Sequence, residues 1–307
     1  MLQEITEDQV YELIIAAWND IEYDIARDLV LIHRRSIDLC VKHLEDITID
    51  YDEAKKRYQK RYGTELKTSE DQLRLRFRFE FCRVKRVVFK NMNMECSLVG
   101  SSKFFNVVFE NCVMNHFRIT LSDMYVVKFI NCTLSYSEFT RSEIFNSEFK
   151  ECLLHRSNFI QTDMPGVGFF DCELSDAQFE QVFSSNIKFV DNNFDRTVFN
   201  RSTLRSTSDL SKNYNTDRIK IAHSYISGIS DTVVEITGIG SRNDTTIYRS
   251  DINQVICGCW RKEPNGYLGG TLEEFKERVL SAYPDPENQY HKEYMKAIEL
   301  LEIYNER

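Results

Sequence analysis

Residues 89–94, 109–114, 129–134, 149–154, 169–174 and 189–194 read FKNMNM, FENCVM, FINCTL, FKECLL, FFDCEL and FVDNNF. Each segment begins with Phe twenty residues after the last, and Cys recurs at 112, 132, 152 and 172. A finer period runs underneath. From Phe79 to Leu204 every fifth residue is apolar, with Ser184 the single exception. A second series lies two residues before each later member, from Cys82 to Ser202. It is mostly Ala, Ser, Thr, Cys or Val, and Met92, Phe117, Ile187 and Asn192 depart from it. Five helical steps of about 100° return a side chain about 140° out of phase, so this is no helix face. It is no continuous strand either, because an odd period flips side chains to the opposite face. The chain must turn a corner every five residues, and four corners make the superperiod of twenty.

The unit is a small residue, a polar one, Leu or Phe, and two polar residues. It stands in Cys132-Thr133-Leu134-Ser135-Tyr136 and Ser157-Asn158-Phe159-Ile160-Gln161. In this the chain resembles the pentapeptide-repeat family over residues 79–204, about two-fifths of its length. That resemblance implies a mainly β fold, a right-handed quadrilateral β-helix. The chain departs from the commonest form by using Cys, Ser and Val more than Ala at the small position. Twenty-six pentads make about 6.5 coils, roughly 31 Å at about 4.8 Å per stacked strand. One coil cannot bury its own interior, so coils stack and the ends need caps. Phe89, Phe109, Phe129, Phe149, Phe169 and Phe189 are expected to form an inward core ladder. Cys112, Cys132, Cys152 and Cys172 are read as a second structural ladder beside it, since buried Cys serves as a small hydrophobe. A metal or redox ladder is the alternative.

Three units follow: an N-terminal helical cap over 1–72, the β-helix over 73–204, and a small α+β module over 205–307. In the first, Thr6-Glu7-Asp8-Gln9 is a capping box before Val10, Leu13, Ile14 and Ala17. A second helical stripe is read at Ala26, Leu29, Val30, His33, Ile37 and Val41, with His33 a packed core residue. A third helix over 51–62 carries Lys55, Lys56, Arg57, Lys60 and Arg61 and stops at Gly63. Residues 73–81, LRLRFRFEF, alternate strictly and predict a strand. Arg74, Arg76, Arg78, Arg83, Lys85 and Arg86 form the most concentrated basic patch. It suits a solvated face, a partner for the acidic cap, or phosphate.

The last unit loses the five-residue period and holds seven of the eleven glycines. Strands are expected over 234–242, 245–249 and 254–260, and helices over 271–282 and 287–304. The unit also looks like tail modules of phage and prophage proteins. Its most site-like cluster is Gly238, Gly240, Ser241, Arg242, Asn243, Thr245, Thr246 and Arg249. Free N–H groups at a glycine turn, hydroxyls and arginines suit a phosphorylated small molecule or nucleotide. The spacing is not that of a P-loop, and a plain polar hairpin is the simpler reading. Cys257 and Cys259 with His291 and His223 suggest zinc, but a C-x-C pair on one strand face is awkward for joint chelation.

A net charge of −9 argues against a general nucleic-acid binder. No stretch is long and apolar enough for a membrane helix. Nine cysteines, an odd number without a secretory leader, read as reduced thiols of a cytoplasmic protein, bacterial or phage by family resemblance. A rod with flat faces and no built-in pocket favours binding over turnover. The first expectation is therefore a non-enzymatic interaction scaffold without cofactor or metal, with a protein partner and a homodimer through a terminal cap as a further contact. Nucleotide capture by residues 238–249 is the second expectation, and an enzyme around Arg242, Cys259 and His291 the third. Some members of the family protect DNA gyrase or topoisomerase by imitating duplex DNA. A rod of ~31 Å would need about 18 negative charges for that. Residues 121–204 hold 7 basic and 12 acidic side chains, which leaves at most partial mimicry by one acidic face.

Overall fold

Every fifth residue from Phe81 to Arg201 lies in the left-handed region, with φ 56° at Phe81, 57° at Val126 and 50° at Asn131. These are the corners. The structure, a computed structural model, describes residues 2–26, 36–63, 75–206, 213–215, 219–222, 224–227, 233–240, 244–250, 253–257 and 269–305. Between corners lie three-residue strands that pair in parallel with strands twenty residues away. Phe109 sits opposite Phe89 and Phe129, Ile119 opposite Val99 and Phe139, and Met124 opposite Phe104 and Ile144. Each coil visits four faces. One coil runs through Leu98–Gly100 (first face), Lys103–Phe105 (second), Val108–Glu110 (third) and Val113 (fourth). Residues 79–204 therefore form a quadrilateral parallel β-helix.

A left-handed L-residue costs about 1–2 kcal/mol, and each corner from Phe81 to Gln181 has a local compensation. Its N–H donates to a carbonyl of the next coil: Phe81 to Gly100 (3.0 Å), Arg86 to Phe105 (2.9 Å), Asn91 to Glu110 (2.9 Å) and His116 to Ser135 (3.0 Å). The small inward residue serves the same backbone. Ser102 Oγ accepts the Cys82 N–H at 2.9 Å and donates to the Phe79 carbonyl at 3.0 Å. The thiols of Cys112, Cys132, Cys152 and Cys172 reach the carbonyls of Phe89, Phe109, Phe129 and Phe149 at 3.3–3.4 Å. Asn192 does both jobs with its amide, and Ser184 donates to the Met164 carbonyl at 2.6 Å.

The interior holds two phenylalanine stacks. From Phe89 to Phe189 successive rings lie 4.8–5.1 Å apart and nearly parallel. Phe139, Phe159, Phe179 and Phe199 form a second stack at 4.7–4.9 Å. From Phe139 to Phe189 the two stacks meet edge to face at 5.6–6.0 Å. Both orientations suit the ring quadrupole.

The coil extends beyond the periodic segment at both ends. Ser36–Asp38, Lys42–Glu45 and Thr48–Asp50 are strands of a first coil, with Ile37 opposite Phe77, Leu44 opposite Val84 and Ile49 opposite Phe89. The helix expected through Ile37 and Val41 is thus corrected. Val41 is a left-handed corner, and the cap read over 1–72 contains a coil. Residues 27–35, with Leu29, Val30 and His33, lie outside the described residues. Two helices complete this end: α1 (Glu7–Ala26) and α2 (Tyr51–Tyr62), the latter directly following the third-face strand Thr48–Asp50. Val10, Ile14 and Trp18 of α1 are fully buried in the same apolar cluster as Leu44 and Ile49. The α2 cations meet α1 carboxylates, Arg57 with Asp8 at 2.6 Å and Arg61 with Glu12. Asp50 caps α2, and Gly63 ends it at φ 69° as expected.

At the other end Lys220–Ala222 and Tyr225–Ser227 add strands opposite Val198–Asn200 and Thr203–Arg205. The offset there is twenty-two residues, which is why the five-residue pattern stops at 204. An antiparallel sheet follows, Val233–Ile239, Asp244–Arg249 and Gln254–Cys257. Ile247 and Ile256 on one side join the β-helix core, while Tyr248 and Val255 on the other pack with α3 (Leu272–Ala282) and α4 (Gln289–Asn305). The C-terminal module is therefore seated on the open end of the coil. No described helix is long and apolar enough to cross a membrane.

Phe149→Ala should destabilise the protein by about 3–5 kcal/mol, because no neighbour in a continuous stack can collapse into the gap. Val126→Asn should stabilise it by about 1 kcal/mol, since Asn tolerates the left-handed corner. Urea denaturation of both variants checks the two signs.

Candidate functional site

The glycine turn is filled from within. The Gly240 N–H donates to Glu293 Oε2 of α4 at 2.8 Å, so a carboxylate of the same chain holds the position an external anion would take. Gly240 has φ 74°, and a Cβ there would stand 1.9 Å from the Tyr294 hydroxyl, so the turn lies tight against α4. Thr246 is fully buried and its hydroxyl donates to Cys257 Sγ at 3.1 Å. Arg249 is also buried, on the opposite side of the strand with Ile247, because alternate residues face opposite ways. Ser241, Arg242 and Asn243 lie outside the described residues, as does the Thr245 side chain. The described members of the cluster point in different directions.

Cys257 and His291 have separate partners, since His291 Nδ1 contacts the Tyr283 carbonyl at 2.6 Å. Cys259 and His223 are outside the described residues. Among the described residues no group of three or more His, Cys, Asp or Glu could hold a metal. Burial pushes the Cys112 and Cys152 thiols up, which keeps them protonated beside their backbone acceptors. An open depression of about 790 Å³ runs along α4, where Lys292, Glu293, Lys296 and Glu299 alternate in charge.

Three of the six residues of the basic patch are compensated by carboxylates, several from the coil beneath. Arg78 contacts Glu80 at 3.1 Å and Asp38 at 3.9 Å, Lys85 contacts Glu45 at 2.8 Å, and Arg86 bridges Glu45 and Asp46. The Lys85 and Arg86 partners hold the Glu45 carboxyl below its usual range. Arg76 is half-buried, Arg83 points to solvent, and Arg74 lies outside the described residues.

The most organised polar surface is a column that no short sequence motif marks. At the corner between the fourth and first faces, residues 116, 136, 156, 176 and 196 are His, Tyr, Arg, Asp and Arg. The His116 and Tyr136 rings stack at 5.2 Å. Arg156 lies 5.8 Å over the Tyr136 ring and donates to its hydroxyl at 3.2 Å. Arg196 grips Asp176 with two bonds of 2.7 and 2.8 Å and also reaches Asp195. That grip holds the Asp176 carboxyl below its usual range. His155 Nδ1 lies 2.8 Å from Ser175 Oγ and 4.0 Å from Asp176. Ser, His and Asp share one locality, yet both partners approach the same ring nitrogen. A triad needs the base held at one nitrogen and working at the other. The available signal was the twenty-residue spacing of the corner residues.

Across the fourth face, the opposite corner carries a ladder of Asn91, Asn111 and Asn131, amide to amide at 3.2 and 2.9 Å, continued by Glu151, Asp171 and Asp191. Leu153 and Tyr214 stand half-exposed between the two corners. Of the twelve acidic residues in 121–204, Glu151, Asp171, Glu173, Asp176, Asp191 and Asp195 lie on this face or its corners. The other six are spread over the remaining three faces.

No protein-family model and no curated protein matches the sequence. Solved structures with a similar arrangement include HetL of the cyanobacterium Nostoc, a pentapeptide repeat protein described as involved in heterocyst differentiation regulation. It is 7% identical, with 67% of this chain and 92% of that one covered and a TM-score of 0.30. QnrB1, a plasmid-mediated fluoroquinolone resistance protein, is 9% identical over 65% of this chain and 94% of its own, with a TM-score of 0.24. Rfr23, a pentapeptide repeat protein of the cyanobacterium Cyanothece, is 11% identical over 55% and 98%, with a TM-score of 0.15. The assignment of the fold rests on this chain's own strand register. The likeness of the C-terminal module to phage tail modules gains nothing from these structures.

Arg196→Ala should raise the Asp176 pKa toward the ordinary carboxylate value. In the wild type the pKa is depressed, so the pair's stabilisation is present at neutral pH and is lost as pH falls through that depressed value. In the variant that contribution is absent at every pH. Carboxyl NMR titration of Asp176 in both proteins reads the shift directly.

Proposed function

Because its centre is a pentapeptide-repeat β-helix, we propose that this chain is a non-enzymatic scaffold that presents its fourth face, with the 116–196 edge, to a protein partner. The observation that carries the reading is the ordered column of His116, Tyr136, Arg156, Asp176 and Arg196 on an inflexible support. Aromatic and arginine side chains dominate binding hot spots. Side chains already fixed by their neighbours lose little entropy on association. Exposed Leu153 and Tyr214 add apolar surface on the same face.

Two other readings fit less well. A phosphorylated ligand at residues 238–249 would have to displace Glu293 from the Gly240 N–H. Imitation of duplex DNA toward a topoisomerase would draw on the acidic corner. The run from Glu151 to Asp191 covers two coil steps, about 10 Å. At the other corner of the same face Arg156 and Arg196 already engage Asp176. A mixed-charge protein surface suits that edge better.

The test is affinity capture from host lysate with the wild type and with a Tyr136→Ala/Arg156→Ala variant of unchanged circular dichroism. A stoichiometric partner should be retained by the wild type and lost by the variant. Equal capture by both would remove the edge from consideration.

A further inference from the structure

The second face, opposite the one just discussed, differs from the rest of the rod. Nine large apolar residues are exposed on the described coil, and six belong to this face or its two corners: Val41, Phe81, Phe105, Leu121, Val126 and Phe183. Four of the six, Val41, Phe81, Leu121 and Val126, are corner residues with φ between 51° and 58°. A bulky or β-branched side chain is a poor choice for such a corner, and an apolar one in water adds a second cost. The corners beside the fourth face carry Asn, Asp, Glu, Arg, His, Tyr and Cys instead. Both costs at one surface are offset if something covers it.

The charges identify the cover. On the second face the first outward column runs His43, Arg83, Lys103, Asp123, Glu143, Asp163, one coil apart. It changes sign once, between Lys103 and Asp123. Beside it runs an apolar column of Phe105, Tyr125 and Phe145, the last two stacked at 5.1 Å. A column that reverses sign at its middle is complementary to itself turned end for end.

We propose that the second face is the interface of an antiparallel homodimer, with a two-fold axis parallel to the strands and passing between the coils of Lys103 and Asp123. This operation keeps each column over its own counterpart and reverses the coil order. Lys103 and Asp123, paired with each other within each chain at 2.7 Å, then meet their counterparts in a cluster of four alternating charges, Arg83 meets Glu143, and His43 meets Asp163. Phe105 meets Tyr125, and Phe81 meets the Arg141 guanidinium for a cation–π contact. A parallel pairing would place Arg83 beside Lys85 of the second copy. The contact is isologous, as closed two-fold dimers require. It spans six stacked strands, about 24 Å, so it falls at the small end of specific interfaces and is concentration-dependent. The fourth face stays outward on both copies. The inference rests on the reading of the faces as recognition surfaces and gives one of them its occupant.

Sedimentation velocity of the full chain across the micromolar range tests it. Wild type should pass from monomer to dimer with concentration, and raised salt should weaken the dimer. Arg83→Glu and Glu143→Arg should each raise the dissociation constant about tenfold. The double variant Arg83→Glu/Glu143→Arg should return it to near the wild-type value. Within one chain these two positions are three coils apart, about 14 Å, so that rescue requires the antiparallel register. Leu121→Asn should weaken the dimer while the melting temperature holds or rises, which separates loss of contact from loss of fold. A wild type that stays monomeric, or a dimer indifferent to Arg83→Glu and Leu121→Asn, overturns the proposal. A monomer that still captures a protein through Tyr136 and Arg156 overturns the dimer alone.

Discussion

A left-handed residue at every fifth position is the constraint on which this molecule is built. Each such corner is costly, and from Phe81 to Arg201 only Gly166 is spared the Cβ penalty. What makes the corner tolerable is its repetition. Its N–H finds a carbonyl of the next coil, and the buried small residue bridges backbone groups of the coils below. The corner works only with another coil above it, so stability is a property of the stack. The phenylalanine stacks run on the same repeat, because identical corners place identical rings in register.

A stack needs ends, and each end is closed by a different solution. The N-terminal end takes an amphipathic helix, with Val10, Ile14 and Trp18 turned onto the coil. Its acidic side is matched by the basic residues of α2. At the C-terminal end the closing element is a three-stranded sheet with Ile247 and Ile256 on the coil and a helical pair behind it. Sealing consumes side chains that look functional in isolation. Thr246, Arg249 and the Gly240 N–H are all used in holding the module together or seating it.

Straight stacking also turns sequence columns into surface stripes. Residues twenty apart become nearest neighbours, so a surface property arises from one residue type per coil. The fourth-face edge is a stripe of rings and ions already engaged with one another. The second face is a stripe of apolar corners beside a charge column that reverses sign. Opposite faces of a rod can bind without competing, which suits a scaffold.

The five- and twenty-residue periods were enough to determine the coil, its inward phenylalanines and its cysteine ladder. A repeat that neither helix nor strand can satisfy leaves only a cornered path. Capping signals likewise gave α1 its start at Thr6 and α2 its stop at Gly63, because those bonds are local. The first coil was harder to see. Leu39, Leu44 and Ile49 keep the five-residue phase of Phe79, but Ile37 and Val41 also fit a helical spacing, and three pentads are too few to decide. Only the pairing with Phe77, Val84 and Phe89 settled it. The same holds for the sites. Glu293 fills the Gly240 turn from 53 residues away, and Arg249 and Thr246 take opposite sides of one strand. Whether a polar group is free or engaged depends on what the fold brings against it, and no local pattern of residues contains that partner.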